Sequence, residues 1–280
     1  MIDLVFFGTD LFAVKVLSEL KKLGLAPRMI ITAPDTPAGR HLTLTPPPVK
    51  IWAQQNNISF LQPVKLSDPD FIHQLKATSY QLCLVASYGK ILPADLLAQW
   101  PNKFLNIHPS LLPRYRGPSP LQTAIADNDA ETGVTIMVVD EAMDHGPIIA
   151  TQTVAINQKW FEKLRDETAQ VGAELLVKIL PDWLAGKLKS EAQNHQEATY
   201  TKKITKPDGE INLADDPVKN FAKIRAYTPA PGAYFFTTKH GKQTRLIIKK
   251  AHLSESNELI IDRVVPEGKR ETDYRAWLNS

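Results

Sequence analysis

The stretch IDLVFFGTDLFAVKVLSELKKLG, residues 2–24, opens with a continuous apolar run from Ile2 to Phe7, turns at Gly8, and then repeats its apolar positions at helical spacing as far as Gly24. A short apolar run bounded by glycine reads as a buried strand, and a glycine after the last periodic residue reads as a helix end. The spacing therefore predicts strand, turn and helix. The alternation continues: Arg28 to Thr32 reads as a second strand, Val49 to Asn56 and Leu66 to Lys76 as helices, and Gln81 to Ala86 as another buried strand. Strands alternating with helices pair in parallel. The predicted fold class is α/β, a doubly wound, mostly parallel sheet whose ligands lie beyond the carboxyl ends of its strands.

Past Pro118, PLQTAIADND reads as a helix, Thr132 to Val139 as an alternating strand, and Pro147 to Val154 as its hairpin partner. A long helix is predicted from Trp160 to Leu184, with Pro181 bending or ending it. Residues 189–208 are polar and weakly periodic, and read as a linker between a domain over 1–188 and a small, shortened β-rich domain over 209–280. In the latter, a helix near Pro217 to Tyr227 precedes strand-like runs at Ala233 to Thr238, Thr244 to His252 and Glu258 to Val265.

The chain has 280 residues, 43% hydrophobic and 22% charged, which suits one sizeable core and a smaller second unit. No apolar run approaches the roughly 20 residues that span a bilayer, and no cleavage-site pattern follows the N-terminus, so a cytoplasmic protein with no membrane partner is expected. The single cysteine, Cys83, sits in apolar QLCLVAS and reads as a small buried hydrophobe without a chemical role. Net charge is only +3, but Tyr200 to Lys250 carries 11 Lys and Arg against 4 acids. That concentration suits a polyanion partner, or equally a solvated lysine-rich face.

The turns after the strands are where chemistry is expected. FFGTDLF lacks a GxGxxG fingerprint and nothing matches GxxxxGK[ST], so neither a dinucleotide nor a nucleoside triphosphate is signalled. SYGKILP follows the Cys83 strand and NIHPSLLP the next, and two such turns can wall one crevice. In a strand, Asn106 and His108 point to one face while Ile107 points away. An imidazole moves protons near pH 7 and an amide N–H holds an oxyanion, two parts of acyl transfer. The third part is an acid that orients the histidine, for which Asp144 in AMDHG competes with Asp140 and Glu141. GxSxG and HExxH patterns are absent, so direct transfer to an incoming nucleophile fits better than covalent or metal catalysis.

NIHPSLLPRYRGPSPLQ, followed by ETGVTIMVVDEAMDHGPII, resembles the formyltransferases that move a formyl group from 10-formyltetrahydrofolate to an amine. FFGTDLFAVKVLSEL, APDTPAGRHLTLTPPPVK and VASYGKILP are similar to the branch of that family acting on methionyl-tRNA, as are IRAYTPAPGAYF and RVVPEGKRETDYRAWL near the end. The resemblance covers nearly the whole chain. It implies that Asn106, His108 and Asp144 are catalytic: Asn106, helped by protonated His108, stabilises the oxyanion formed when the methionyl α-amino group attacks, and Asp144 orients and charges His108.

The resemblance further implies a folate crevice lined by Ser87, Tyr88, Gly89, Ile91 and Leu92, by Ser110, Leu111, Leu112 and Pro113, and by Asp140 and Met143, with no metal. Initiator methionyl-tRNA is the implied partner of a chain expected to be monomeric. Arg40 and His41 of the proline-rich loop would reach it, as would Lys206, Lys239, Lys242, Arg245, Lys249 and Lys250 of a β-barrel of the oligonucleotide-binding type. About 50 residues follow Pro229, so the implied barrel is a reduced one. Arg114 and Arg116 suit either a tRNA contact or a role in holding their turn. Asp10 and His145 stand where the family carries other residues. Formylation of an amino sugar nucleotide or of glycinamide ribonucleotide would use the same three catalytic residues, but needs neither the proline-rich loop nor the basic extension. A noncatalytic RNA-binding protein would not need the catalytic three.

Overall fold

The computed structural model describes residues 2–38, 42–77, 80–239 and 241–280. In chain order the elements are β1 (Leu4–Phe7), α1 (Leu11–Lys22), β2 (Met29–Ile31), β3 (Thr36–Ala38), β4 (Thr43–Thr45), α2 (Pro48–Gln55), β5 (Ser59–Leu61), α3 (Pro69–Lys76), β6 (Leu82–Val85), α4 (Ala94–Ala98) and β7 (Phe104–His108). They continue with α5 (Pro120–Ala126), β8 (Glu131–Val138), β9 (Ile148–Ala155), α6 (Phe161–Leu184), α7 (Pro217–Tyr227), β10 (Tyr234–Lys239), β11 (Lys242–Leu253), β12 (Leu259–Pro266), β13 (Thr272–Asp273) and α8 (Tyr274–Leu278).

Seven strands form one sheet in the order β5-β2-β1-β6-β7-β8-β9. The first five pair in parallel, in line with the βα alternation, and β7 pairs antiparallel with β8. One face packs Leu4, Phe6, Leu84, Leu105 and Ile107 against Val16, Leu17 and Leu20 of α1 and Ala169, Ala173 and Leu176 of α6. The other packs Val5, Phe7, Cys83 and Phe104 against Phe71 and Leu75 of α3 and Leu96 of α4. Burial of strands on both faces explains why they read as unbroken apolar runs instead of alternating ones. Gly172 lets α6 lie close on β7, since a Cβ there would meet Ile107 Cγ2 at 2.6 Å.

The chain leaves β1 for β2 and β5, then returns to the other side of β1 with β6. The strand order reverses between β1 and β6, the place where an open α/β sheet forms a ligand crevice. The two turns beyond it are tied: Thr9 N donates to Ser87 O at 3.1 Å, Thr9 Oγ1 to Tyr88 O at 2.8 Å, and Ser87 Oγ to Asp10 Oδ2 at 2.6 Å. Asp10 also caps α1, accepting from Ala13 N at 3.2 Å.

The chain divides into two compact units, one of Met1–Pro118, Gly133–Val154 and Arg165–Tyr200, the other of Ser119–Thr132, Ala155–Leu164 and Thr201–Ser280. This differs from a linker over 189–208. Residues 191–200 are bound into the first unit: Glu191 exchanges backbone hydrogen bonds with Ile148 at 2.7 and 2.8 Å, and Thr199 O accepts from Arg116 N at 2.9 Å. A segment with no periodicity is here ordered by cross-links to loops, which leave no pattern in the sequence. The second unit also holds α5 and the loop before α6, because Arg225, 2% exposed, donates to Lys159 O and Asn128 Oδ1, each at 3.2 Å. Its sheet is an antiparallel meander, β10-β11-β12-β13, packed on Phe221 and Ile224 of α7 and Trp277 of α8. The helix α6 runs three residues past Pro181, whose missing N–H falls in the last turns.

Candidate active site

β7 carries Asn106 and His108 to its exit on the face opposite Ile107, as the two-residue period dictates. His108 is 6% exposed and Asp144 15%. The carboxylate of Asp144 joins the two strand residues: Oδ1 lies 3.4 Å from Asn106 Nδ2 and 3.5 Å from His108 Nδ1. Its other oxygen accepts from the Gly117 backbone N–H at 2.7 Å. The opposite nitrogen of the ring, His108 Nε2, lies 3.0 Å from the Tyr115 carbonyl and so donates to it. That leaves Nδ1 as the nitrogen facing the acid.

Asp144 reaches this position because its loop reverses sharply. Its backbone is left-handed, φ 51°, and a Cβ on Gly146 would run into the Val138 carbonyl that the loop crosses. The competing acids are turned elsewhere: Asp140 accepts from Ala142 N at 3.1 Å and from His145 Nδ1 at 2.6 Å, and Glu141 is exposed. A half-buried amide, a buried imidazole and one carboxylate bridging them can hold a developing oxyanion and pass a proton, which is the outfit of direct acyl transfer.

Gln193 ties this arrangement together, and sequence reasoning missed it. Buried at 6% exposure, it donates through Nε2 to the carbonyls of Asp144 at 3.0 Å and Gly146 at 2.8 Å. Its Oε1 accepts from Arg116 Nε at 3.2 Å and Nη2 at 2.6 Å. The two loops that supply Asp144 and its Gly117 donor are thus cross-linked through one amide. Arg116 is itself 1% exposed and also donates to Tyr200 Oη at 3.1 Å, so it holds its turn and is not available to a nucleic acid. Arg114 is exposed and lies over the Tyr115 ring at 4.8 Å.

The register Val85↔Asn106 places the turn after β6 beside the exit of β7. Of the residues expected to line a folate crevice, several turn inward. Leu92 and Leu112 are buried, the former in the core, and Ser110 is fully buried with Oγ donating to Arg114 O at 2.7 Å. Leu111 packs over Gly133 and Pro113 is half-buried. The Ser110 hydroxyl is thus consumed by its own turn. Ser87 and Gly89 instead offer backbone held at positive φ, 48° and 79°, with open space around Gly89. Ile91 and Met143 are exposed apolar side chains. The Tyr88 hydroxyl is buried without a hydrogen-bond partner among the described residues, and burial pushes it up to about 12.

Arg40 and His41 lie outside the described residues. In the second unit Lys206, Lys242 and Lys250 are exposed and Lys249 half-buried. Arg245 lies over the Tyr234 ring at 5.5 Å. Lys239 is the exception, since its ammonium caps the end of α8, donating to the carbonyls of Trp277 and Leu278 and to Ser280 Oγ. Its charge is already committed.

Residues 2–180 match the formyl transferase family. The chain is 42% identical over 245 residues to methionyl-tRNA formyltransferase of Chloroflexus aurantiacus, covering 87% of this chain and 78% of that one. Among solved structures, methionyl-tRNA formyltransferase from Clostridium thermocellum has the same fold, with a TM-score of 0.62 at 18% identity over 95% of this chain and 99% of that one. HypX from Aquifex aeolicus, solved in complex with tetrahydrofolic acid, matches 99% of this chain with a TM-score of 0.66 at 16% identity. The match covers 46% of HypX, so the chain spans about half of that protein.

Proposed function

The chain belongs to the formyl transferase family, and on that premise we propose that it transfers a formyl group from 10-formyltetrahydrofolate to the α-amino group of initiator methionyl-tRNA, acting as a monomer. The observation that carries the chemistry is the single carboxylate of Asp144 set against both Asn106 and His108 at the buried exit of β7. The 42% identity to a methionyl-tRNA formyltransferase over most of both chains supports the acceptor.

The folate donor supplies a formyl group activated on nitrogen. The backbone of Ser87 and Gly89 and the apolar surfaces of Ile91 and Met143 fit a flat ring needing a few polar contacts. Asn106 Nδ2–H holds the oxygen on which negative charge develops as the amine attacks. His108 Nδ1 is where a proton is taken from the attacking amine and returned toward the leaving nitrogen, directly or through one water. Asp144 orients the ring and stabilises its charged form. Exposed Lys206, Lys242 and Lys250, with half-buried Lys249 and Arg245, supply positive charge for the tRNA backbone.

Purified protein given 10-formyltetrahydrofolate and, separately, methionyl-tRNA, an amino sugar nucleotide or glycinamide ribonucleotide tests the reading. Formylmethionyl-tRNA is the expected product. Formylation of a small amine with none of methionyl-tRNA overturns it.

A further inference from the structure

Two imidazole rings lie flat on one another beside the Asp144 turn. His145 and His195 stack with centroids 4.0 Å apart and planes 2° from parallel. Each is held at its edge by a charged group. His145 donates Nδ1–H to Asp140 Oδ2 at 2.6 Å, and Arg116 Nη2 donates to His195 Nδ1 at 2.9 Å. A guanidinium has only protons to offer, so the His195 nitrogen facing it accepts and the ring carries its proton on Nε2. Partial desolvation, then the neighbouring His145 and Arg116, lower its pKa against the opposing pull of Asp140, which keeps His195 in this neutral form.

Formyl transfer as described above uses neither ring. His195 is exposed, on a short turn of residues that composition alone would leave as linker. An imidazole stack whose outer member is exposed can take a further planar ring. If methionyl-tRNA is the acceptor, as proposed above, the reacting amine belongs to an amino acid esterified to the ribose of a terminal nucleotide, whose base lies within one nucleotide's length of the reacting carbon. His145 directly follows Asp144, with Cα atoms about 3.8 Å apart. Asp140 beside His145, and Glu197 two residues beyond His195, disfavour a phosphate at this place and leave the base as the part of that nucleotide the site suits.

We propose that the exposed face of His195 seats the terminal nucleobase of the acceptor strand, with His145 beneath it as the second layer of a stack fixed by Asp140 and Arg116. The site would recognise a π-face and not a hydrogen-bonding edge, and so would position the substrate without reading its sequence.

The test is a cycle of two proteins and two substrates: unsubstituted chain and His195→Ala, each with methionyl-tRNA whose terminal base is present or replaced by an abasic ribose. Removing the base should raise KM for the tRNA about tenfold in the unsubstituted protein. His195→Ala should raise it similarly with the base present, and the two changes together should do no more than either alone. His195→Phe, which keeps a ring, should restore the KM for intact substrate, and KM for the formyl donor should stay the same throughout. An equal penalty for base removal with and without the His195 ring overturns the inference alone. Absence of any formylation of methionyl-tRNA by the unsubstituted protein overturns the acceptor assignment, and the inference with it.

Discussion

In the unit that carries Asn106, His108 and Asp144, the carboxylate of Asp144 bridges the other two side chains and its loop is held by the buried, hydrogen-bonded Gln193 and Arg116. In the second unit, Lys206, Lys242 and Lys250 stand in solvent, and the one lysine of that group with a fixed partner, Lys239, has turned to the end of α8. The first arrangement concentrates function in a few geometries that cannot shift independently. The second spreads it over charges that act by sum. The pairing Lys250↔Arg263 across β11 and β12 sharpens the point, because like charges opposite one another cost a sheet stability and are kept here beside a register shift at Lys249 and Lys250. A catalytic centre should therefore fail steeply at single residues, and a basic face gradually.

The largest expected effect is at His108. His108→Ala should lower kcat by about 10²–10⁴ while leaving the affinity for tRNA nearly unchanged, measured by single-turnover formylation alongside filter binding. Equal loss of both would make His108 a structural residue and remove the contrast between the units. Next is Gln193. Gln193→Glu keeps an acceptor for Arg116 but sets carboxylate oxygens against the carbonyls of Asp144 and Gly146, so the fold survives while the catalytic loop moves. A fall in kcat of roughly tenfold to a hundredfold is expected, with the melting temperature held by the new ion pair to Arg116. If Gln193→Glu melts early and keeps its kcat, the cross-link serves stability and not the position of Asp144.

These two residues also mark what could be read from sequence. The parallel sheet was legible because its strands are buried on both faces and its first helix is closed by Gly24, so period and punctuation both survive in the residues. Asn106 and His108 were legible because a two-residue period survives too. Gln193, His195 and the structural role of Arg116 were not, since each acts through a loop-to-loop bond between residues as much as 79 apart, and no spacing rule relates them. The strand β5 and the short β3–β4 hairpin escaped for another reason: three residues are too few to show alternation. Conversely, Ser110, Leu92 and Leu112 were expected at a ligand because they sit in the right turns. Position in a turn does not say which side chains the turn consumes itself.

A smaller effect is expected on the basic face. Lys249→Glu with Lys250→Glu should raise KM for tRNA severalfold and lower the slope of log KM against log salt by about one for each phosphate that is no longer neutralised, with kcat unchanged. The expected signature is graded: each single reversal gives part of the shift. An effect concentrated entirely in one lysine would mean that this unit too works through a fixed geometry, and a salt slope that does not move would take the tRNA off this face.

The smallest effect under ordinary conditions is at Cys83, and it probes how closed the catalytic unit is. The thiol is 1% exposed in the core behind β6, and burial pushes it up to about 12 from an ordinary value of 9.0. A pKa raised on folding contributes nothing adverse while both folded and unfolded thiols are protonated. As pH rises past 9 the unfolded chain ionises first, and stability is lost progressively until the folded thiol ionises as well. Tyr88, raised from 10.0 to about 12 by the same cause, adds to the loss in the same direction. The melting temperature should therefore be flat with respect to these groups at pH 7–8 and fall above about pH 9, and Cys83→Ser should blunt part of that fall. An aromatic disulfide reagent at pH 8 should label no thiol in the native protein and one after denaturation. Rapid labelling of the native chain would show that the sheet beneath Asn106 and His108 opens on its own, and the rigidity that distinguishes the catalytic unit from the basic one would have to come from the Gln193 cross-link instead of the core.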